Sequence, residues 1–566
     1  MIQTIKMTIA ETLAKNEALA ALGAEQLCAM LMYPPDNSMG DIALPCFRFA
    51  KEMRLSPDKV AASIADSFAC ECISEVLTAG GYLNFRINAQ YLAQTTLSAV
   101  AVSENYGSDG SGVGSTIVLD YSAPNIAKPF HVGHLCSTLT GHSLKKLFEF
   151  AGYKCVGVNH LGDWGTQFGK LIVAYKLWGD KAKIEAGGID ELVAIYVKYH
   201  DEAAKDPTLD DKARQAFAAL EAGDPECIEI WKWFNDVSLA EYDKIYSLLN
   251  IEFESNLGES FYFDKVAPQV EIMRDKGVLS IDDGASIVSL EEEGMPPCLI
   301  LKSDGSTIYA ARDIAAAVYR KETYDFSRCI YVTSNGQSLH FKQFFTVLAK
   351  MGYEWADKLV HIAHGTLSFG KAKLATRTGN VILLRDLFDA AITKAASIIA
   401  EKRPDEEVCM KTAQSIGVGA VVYNYLSSNR EKDADFSMED ALSFDGNTGP
   451  YVQYTYARCC SVLSKVDGTL ADWSGVELCS EERDVVMLLA QFPEKIAAAM
   501  RDYQPAVITR YVYDLAGAFN KFYHHCPILA APDEATKALR VEVTRAVKAV
   551  LERGLGLICM ETPERI

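Results

Sequence analysis

The 566-residue chain reads as a multidomain α/β protein: an open parallel sheet broken by a long helical insertion, with a small α+β unit before it and an all-α part after it. Three observations predict this. Short β-branched runs alternate with helical patterns over roughly residues 116–365, and polar, glycine-containing loops follow the carboxyl ends of those runs. Helical and loop-rich sequence interrupts the alternation at about 170–300. From about residue 385 onward the apolar spacing is almost wholly helical.

The elements follow in order. Residues 1–112 form the first unit. Helical patterns over Ile5–Leu22 and Leu55–Ser67 flank a proline-containing loop, Pro34 to Asp41, and Tyr82–Ile87 alternates like a strand after Gly80-Gly81. The Gly/Ser-rich stretch Gly107–Ser115 closes this unit. The central unit takes residues 113–384. Its first strand, Thr116–Tyr121, leads through a loop to a helix over Leu135–Phe150, which Gly152 stops. Lys154–Val158 is a second strand, Tyr309–Arg320 a helix, and 329–333 and 360–364 two more strands. A helical connection, 385–439, and a helical unit, 440–566, complete the chain.

The bulk properties exclude several classes. The formal charge of −20 argues against a general nucleic-acid binder. It leaves room for a specific RNA contact, because binding follows the local field and not the sum. No apolar run is long enough to span a bilayer, and the N-terminus lacks the layout of a signal peptide. Fifteen cysteines without a Cys-x-x-Cys spacing argue against a zinc ribbon and read as reduced thiols of a cytoplasmic protein.

Chemistry concentrates in Asp120–Leu135, where Asn125, Lys128, His131, Gly133 and His134 sit between a strand and a helix. Such a turn aims backbone N–H groups and the positive end of the helix dipole at one spot, which suits a phosphate. Gly133 leaves room for a base or phosphate to approach the backbone. The two imidazoles can donate hydrogen bonds to charge that develops on a triphosphate under attack. The alternative is a polar loop with incidental histidines; the flanking strand and helix, with Asn125 and Lys128 upstream, weigh against it.

Three further clusters lie after strands. Asn159–Gly169 places three glycines around Asp163, Trp164 and Gln167, a loop packed either on a ligand or, as a structural turn, on a buried Trp. Gly370–Asn380 carries Lys371, Lys373 and Arg377. Such a cluster is commonly a solvated face. In an acidic chain beside a phosphate-binding turn it reads as a phosphate clamp, with Lys373 and Arg377 neutralising a departing pyrophosphate. Tyr309 and Asp313, four apart, share a helix face, either as a core-edge pair or, with Asp120 and Glu259, as a site for Mg²⁺ or a basic substrate.

These residues carry a resemblance. His131-Val132-Gly133-His134 and Lys373-Leu374-Ala375-Thr376-Arg377 resemble the two signatures of class I aminoacyl-tRNA synthetases, usually quoted as HIGH and KMSKS. Ser122–Pro129, Gly162–Gly169 and Asn447–Arg458 resemble arginyl-tRNA synthetases in particular. The resemblance runs nearly end to end. It implies a Rossmann-type catalytic core, an N-terminal domain that touches the tRNA elbow, and a helical anticodon-binding domain at the C-terminus. The implied function is ligation of L-arginine to its tRNA with ATP as substrate, Mg²⁺ carried with the ATP, no zinc, and no separate editing domain. The expected molecule is a cytoplasmic monomer with arginine tRNA as partner and no membrane contact.

The same resemblance implies roles for residues. Asp120, Asn125 and Gln337 would hold the α-amino end of arginine, and Glu259, Tyr309 and Asp313 its guanidinium, which calls for such carboxylates and a hydroxyl. His131, Gly133, His134, Lys373 and Leu374 would hold ATP; His131, His134, Lys128, Lys373 and Arg377 would assist catalysis. Arg458 and Tyr523 are candidate tRNA contacts. The second signature lacks its second lysine, a loss many members share and for which Lys128 is thought to compensate. Asp120 stands where relatives often have Glu, and the chain ends in Ile566 where many end in methionine. Two rivals remain open at this point. A paralogue that binds RNA or regulates without ligating would be expected to lose signature cations or the C-terminal helices. A small nucleotidyltransferase, which shares the His-x-Gly-His turn, would lack the length.

Overall fold

The computed structural model describes residues 1–16, 19–369, 382–404 and 407–566. At its centre lie four parallel strands: β1 (Thr116–Asp120), β2 (Lys154–Val158), β3 (Arg328–Ser334) and β4 (Leu359–His364). Their order is β4-β3-β1-β2, with Asp120 in register with Tyr331 on one side and Val158 on the other. The chain leaves β1 toward β2 and returns to β3 on the opposite side. The carboxyl ends of β1 and β3 therefore flank the crevice where an open α/β sheet binds ligands. The strands are short and apolar because both faces are covered: Ile117, Val118, Leu119, Cys329, Ile330 and Val332 are buried.

The helix after β1 spans Val132–Phe150, three residues longer at its start than its apolar stripe predicts. The extra turn exists because His131 and His134 cap it with their own side chains. Between β2 and β3 the insertion is mainly helical, including Thr166–Trp178, Ile189–Ala203, Thr208–Glu221 and Pro225–Leu248. It also holds a three-stranded antiparallel sheet of Ser280–Asp282, Ala285–Val288 and Cys298–Leu301, which the sequence reading lacks. Strands of three or four residues are too short for a period-2 pattern to stand out.

In the first unit, the helix expected over Ile5–Leu22 is Ile2–Leu13. Ile2, Ile5, Ile9 and Leu13 form its buried stripe, each worth about 1.5–3 kcal/mol of apolar burial. The helix ends at Leu13, and Leu19 is buried beyond it. The second expected helix is Pro57–Ala65, started by Pro57 in the first turn. Tyr82–Ile87 is the central strand of a three-stranded antiparallel sheet.

Beyond the sheet the chain is helical, with Leu384–Lys402, Met410–Leu426, Gly449–Leu463, Ser480–Arg501, Ala506–His525 and Glu534–Leu557. The first unit packs on this part. Asp41 pairs with Arg483, Lys6 with Glu494 at 3.2 Å, and the Tyr106 hydroxyl donates to the Leu489 carbonyl at 2.9 Å. Among the described residues no helix is long and apolar enough to cross a membrane.

Candidate active site

The loop from β1 to the first helix is held in an unusual backbone path. Ser122, Ala123 and Ala127 have positive φ (73°, 47° and 55°), a conformation that costs energy unless its surroundings enforce it. The Ser122 N–H donates to Ser137 Oγ, that of Ala123 to Asn159 Oδ1 and that of Ala127 to Ser238 Oγ. The Tyr242 hydroxyl lies 2.7 and 2.8 Å from the carbonyl oxygens of Asn125 and Lys128. Gly162 presses on this loop so closely that a Cβ there would sit 2.1 Å from Asn125 Oδ1. Glycine at 162 thus lets the two polar loops touch.

The two histidines cap one helix. The Gly133 N–H donates to His131 Nδ1 at 3.0 Å, and the His131 N–H to His134 Nδ1 at 3.2 Å. The rings lie 4.1 Å apart. With its Nδ1 accepting, the His131 ring keeps its proton on Nε2 as a donor, while the His134 Nδ1 lies 3.2 Å from both the N–H and the carbonyl oxygen of His131. Burial lowers the pKa of both, that of His134 to about 4, and the neighbouring Lys128 charge adds to the depression. Both are therefore neutral at pH 7. Lys128 itself is exposed beside them.

The carboxylates lie in two groups, each already matched with a cation. Asp120 ends β1 and pairs with Arg320 at 2.8 Å; the arginine side chain is 1% exposed. Arg320 also lies 3.2 Å from His160 Nδ1. In the second group Glu259 pairs with Arg312 at 2.6 Å, and Asp313 accepts from His340 Nε2 at 2.6 Å. Glu259 is pushed up to about 7, first by burial, with Asp313 and Asp163 adding to the rise and Arg312 opposing it. Tyr309 opens the helix Tyr309–Tyr324 and is 70% exposed, with the Arg312 guanidinium 5.8 Å from its ring centre. Asp163 accepts from both the N–H and the Oγ of Ser260, so this loop residue serves to hold the segment that carries Glu259. Trp164 packs against Phe217, Trp231 and Phe263, the structural alternative for that loop.

The structure thus gathers His131, Gly133, His134, Lys128, Asn125 and Asp120 around the end of β1, and Glu259, Tyr309 and Asp313 around Arg312. Gln337 closes a short turn after β3 and is exposed. Lys373, Leu374 and Arg377 lie outside the described residues. Arg312, Arg320 and His340 were missed by sequence reasoning. Arg312 and Arg320 ride on the helix of Tyr309, but nothing in the sequence says which carboxylate each faces.

Arg458 and Tyr523 lie on another surface, made by the C-terminal helices. The Arg458 guanidinium is 5.0 Å from the Tyr454 ring and 4.9 Å from that of Tyr523, within cation–π range. They line an open groove of about 1020 Å³ together with Arg403, Lys465 and Arg565. Tyr454 is 40% exposed and Tyr456 2%, so the first belongs to the groove and the second to the core. Among the described residues one trio could offer metal ligands, Cys479, Glu482 and Cys526, and Glu482 already pairs with Arg540 at 2.7 Å.

Comparison with known proteins agrees with this geometry. The model of the class I (R) tRNA synthetase catalytic domain matches residues 96–438. The DALR anticodon binding domain matches 452–566, and the arginyl tRNA synthetase N terminal domain matches 3–87. The chain belongs to the arginyl-tRNA synthetase family. The arginine–tRNA ligase of Alkaliphilus metalliredigens is 46% identical over 552 residues, covering 97% of both chains. That of Clostridioides difficile is 45% identical over 568 residues and all of both chains. The solved arginyl-tRNA synthetase of Thermus thermophilus has the same fold, with a TM-score of 0.83 at 24% identity over all of both chains. That of Plasmodium falciparum has a TM-score of 0.81 at 23% identity, covering 100% of this chain and 98% of its own.

Proposed function

We propose that this family member joins L-arginine to ATP at the His131–His134 turn and then passes the arginyl group to its tRNA. In the first step an oxygen of the arginine carboxylate attacks the α-phosphorus, the bond to pyrophosphate breaks, and arginyl-adenylate forms. In the second a hydroxyl of the 3′-terminal ribose attacks the arginyl carbonyl and AMP leaves. The observation that carries this reading is the pair of neutral, mutually capped imidazoles. They set two imidazoles at a helix N-terminus, with the His131 Nε2–H as a donor for charge that grows on the α-phosphate.

The remaining roles follow from chemistry. Asp120, Asn125 and Gln337 bind the α-ammonium end. Glu259, Asp313 and the Tyr309 hydroxyl bind the guanidinium, whose planar fork of donors matches carboxylates. Lys128, with Lys373 and Arg377, stabilises the leaving pyrophosphate, and Mg²⁺ arrives with ATP as part of the substrate. The groove around Arg458 and Tyr523 takes unstacked anticodon bases, and the first step waits for docked tRNA. The units of this reading are 1–112, 113–384, 385–439 and 440–566. Fifteen free cysteines favour a cytoplasmic setting, and we take the working form to be a monomer. The test is ATP–pyrophosphate exchange with each amino acid in turn, with and without total tRNA. Exchange with L-arginine alone among the amino acids, and only when tRNA is present, is the expected result; exchange with another amino acid would overturn it.

A further inference from the structure

Arg312 stands in an odd place. It sits one residue before Asp313 and three after Tyr309, in the first turn of their helix, and its guanidinium lies 2.6 Å from Glu259 and 5.8 Å from the Tyr309 ring. A guanidinium of the protein's own therefore lies beside two of the three groups assigned above to the substrate's guanidinium. One of its donors is unmatched: its Nε is buried without a hydrogen-bond partner. A fork of five donors that leaves one buried and unmatched is a poor fit to its partner. A second carboxylate lies within its electrostatic reach, Glu221, exposed at the end of the insertion helix Thr208–Glu221.

We propose that Arg312 is a stand-in for the substrate: its guanidinium fills the Glu259 side of the pocket in the free enzyme, and L-arginine enters by displacing it toward Glu221. This rests on the pocket assignment above. Charge then replaces charge. Glu259, buried and facing Arg312, Asp313 and Asp163, is never left without a cation. A ligand with a neutral head, such as L-citrulline, makes that exchange poorly, because it brings no cation to replace the one that Arg312 takes away. Arg312 is thus a specificity-determining residue, and it weakens the apparent affinity for arginine by the fraction of molecules whose pocket is open.

The experiment titrates L-arginine and L-citrulline into the full chain by calorimetry, for the wild type and for Arg312→Gln, Arg312→Lys, Glu259→Gln and Asp313→Asn. If Arg312 leaves about one pocket in ten open, Arg312→Gln binds arginine about tenfold more tightly. Its preference for arginine over citrulline also shrinks, since Arg312 is the cation that holds the Glu259 pKa down, and without it that carboxyl takes up a proton more readily and accepts a neutral head. Gln is a good helix former at this half-exposed position. Should that variant nonetheless fail to fold, Arg312→Lys carries the test, with an ammonium that holds one carboxylate oxygen and a smaller gain of about threefold. Unchanged or weaker arginine binding in the folded variant would overturn the stand-in role. Weaker binding in Glu259→Gln and Asp313→Asn alongside that result would leave the pocket standing and remove only the displacement. No effect of either carboxylate change would remove the pocket itself.

Discussion

Asp313→Asn tests the guanidinium pocket most directly. The change keeps the size and shape of the side chain, and its Oδ1 can still accept from His340 Nε2, so the helix start should stay in place. What it removes is one of the two negative charges facing the substrate's head. Removing one partner of a buried charge pair costs about 2–5 kcal/mol. The Asp313 side chain is 26% exposed, so part of its charge is screened, and the lower end applies, about 2–3 kcal/mol. At about 1.4 kcal/mol per tenfold, the KM for arginine should rise about 30- to 140-fold. The KM for ATP should barely move, because Asp313 is not part of the His131–His134 turn. The assay is pyrophosphate exchange with saturating tRNA, with arginine and ATP varied separately. An arginine KM within about threefold of wild type would refute the pocket, since no buried charge pair is so cheaply lost.

Other outcomes follow from the same geometry. Lys128→Ala should lower the adenylation rate about 100-fold or more while leaving ATP affinity nearly intact, because its charge matters most as pyrophosphate departs; single-turnover adenylate formation reads this directly. Arg458→Ala should weaken tRNA binding and reduce the salt dependence of that binding by about one phosphate contact, measured as affinity against ionic strength. His134 is held near 4, below its ordinary 6.5, so the folded state binds its proton less well than the unfolded state does. Its contribution to stability is complete above pH 6.5 and drains away as pH falls toward 4. Thermal midpoints of the wild type should therefore drop more steeply over that range than those of His134→Asn.

The parts of the site legible in the sequence are those made by neighbours along the chain. The end of β1, the capping histidines, Gly133 and the first helix fall within a few residues of one another, so their local chemistry announces the turn. The four core strands were legible for a similar reason, since each is a compact β-branched run followed by a polar loop. Where local pattern is thin, the sequence marks element ends poorly. The N-terminal helix, Ile2–Leu13, is shorter at its end than the apolar pattern over Ile5–Leu22 predicts.

What only the tertiary structure decided is which charge meets which. Asp120 finds Arg320, Glu259 finds Arg312 across 53 residues, and Asp313 finds His340 across 27. Each of those carboxylates looked, in the sequence, like a free ligand for a basic substrate. The packing of the insertion and of the Tyr309 helix against the sheet supplies them with internal partners first. The physical reason is that a chain's own order fixes caps and periodicities, which act over one or two turns. Burial and electrostatic pairing act through space, and they take their values only when distant segments have closed around them.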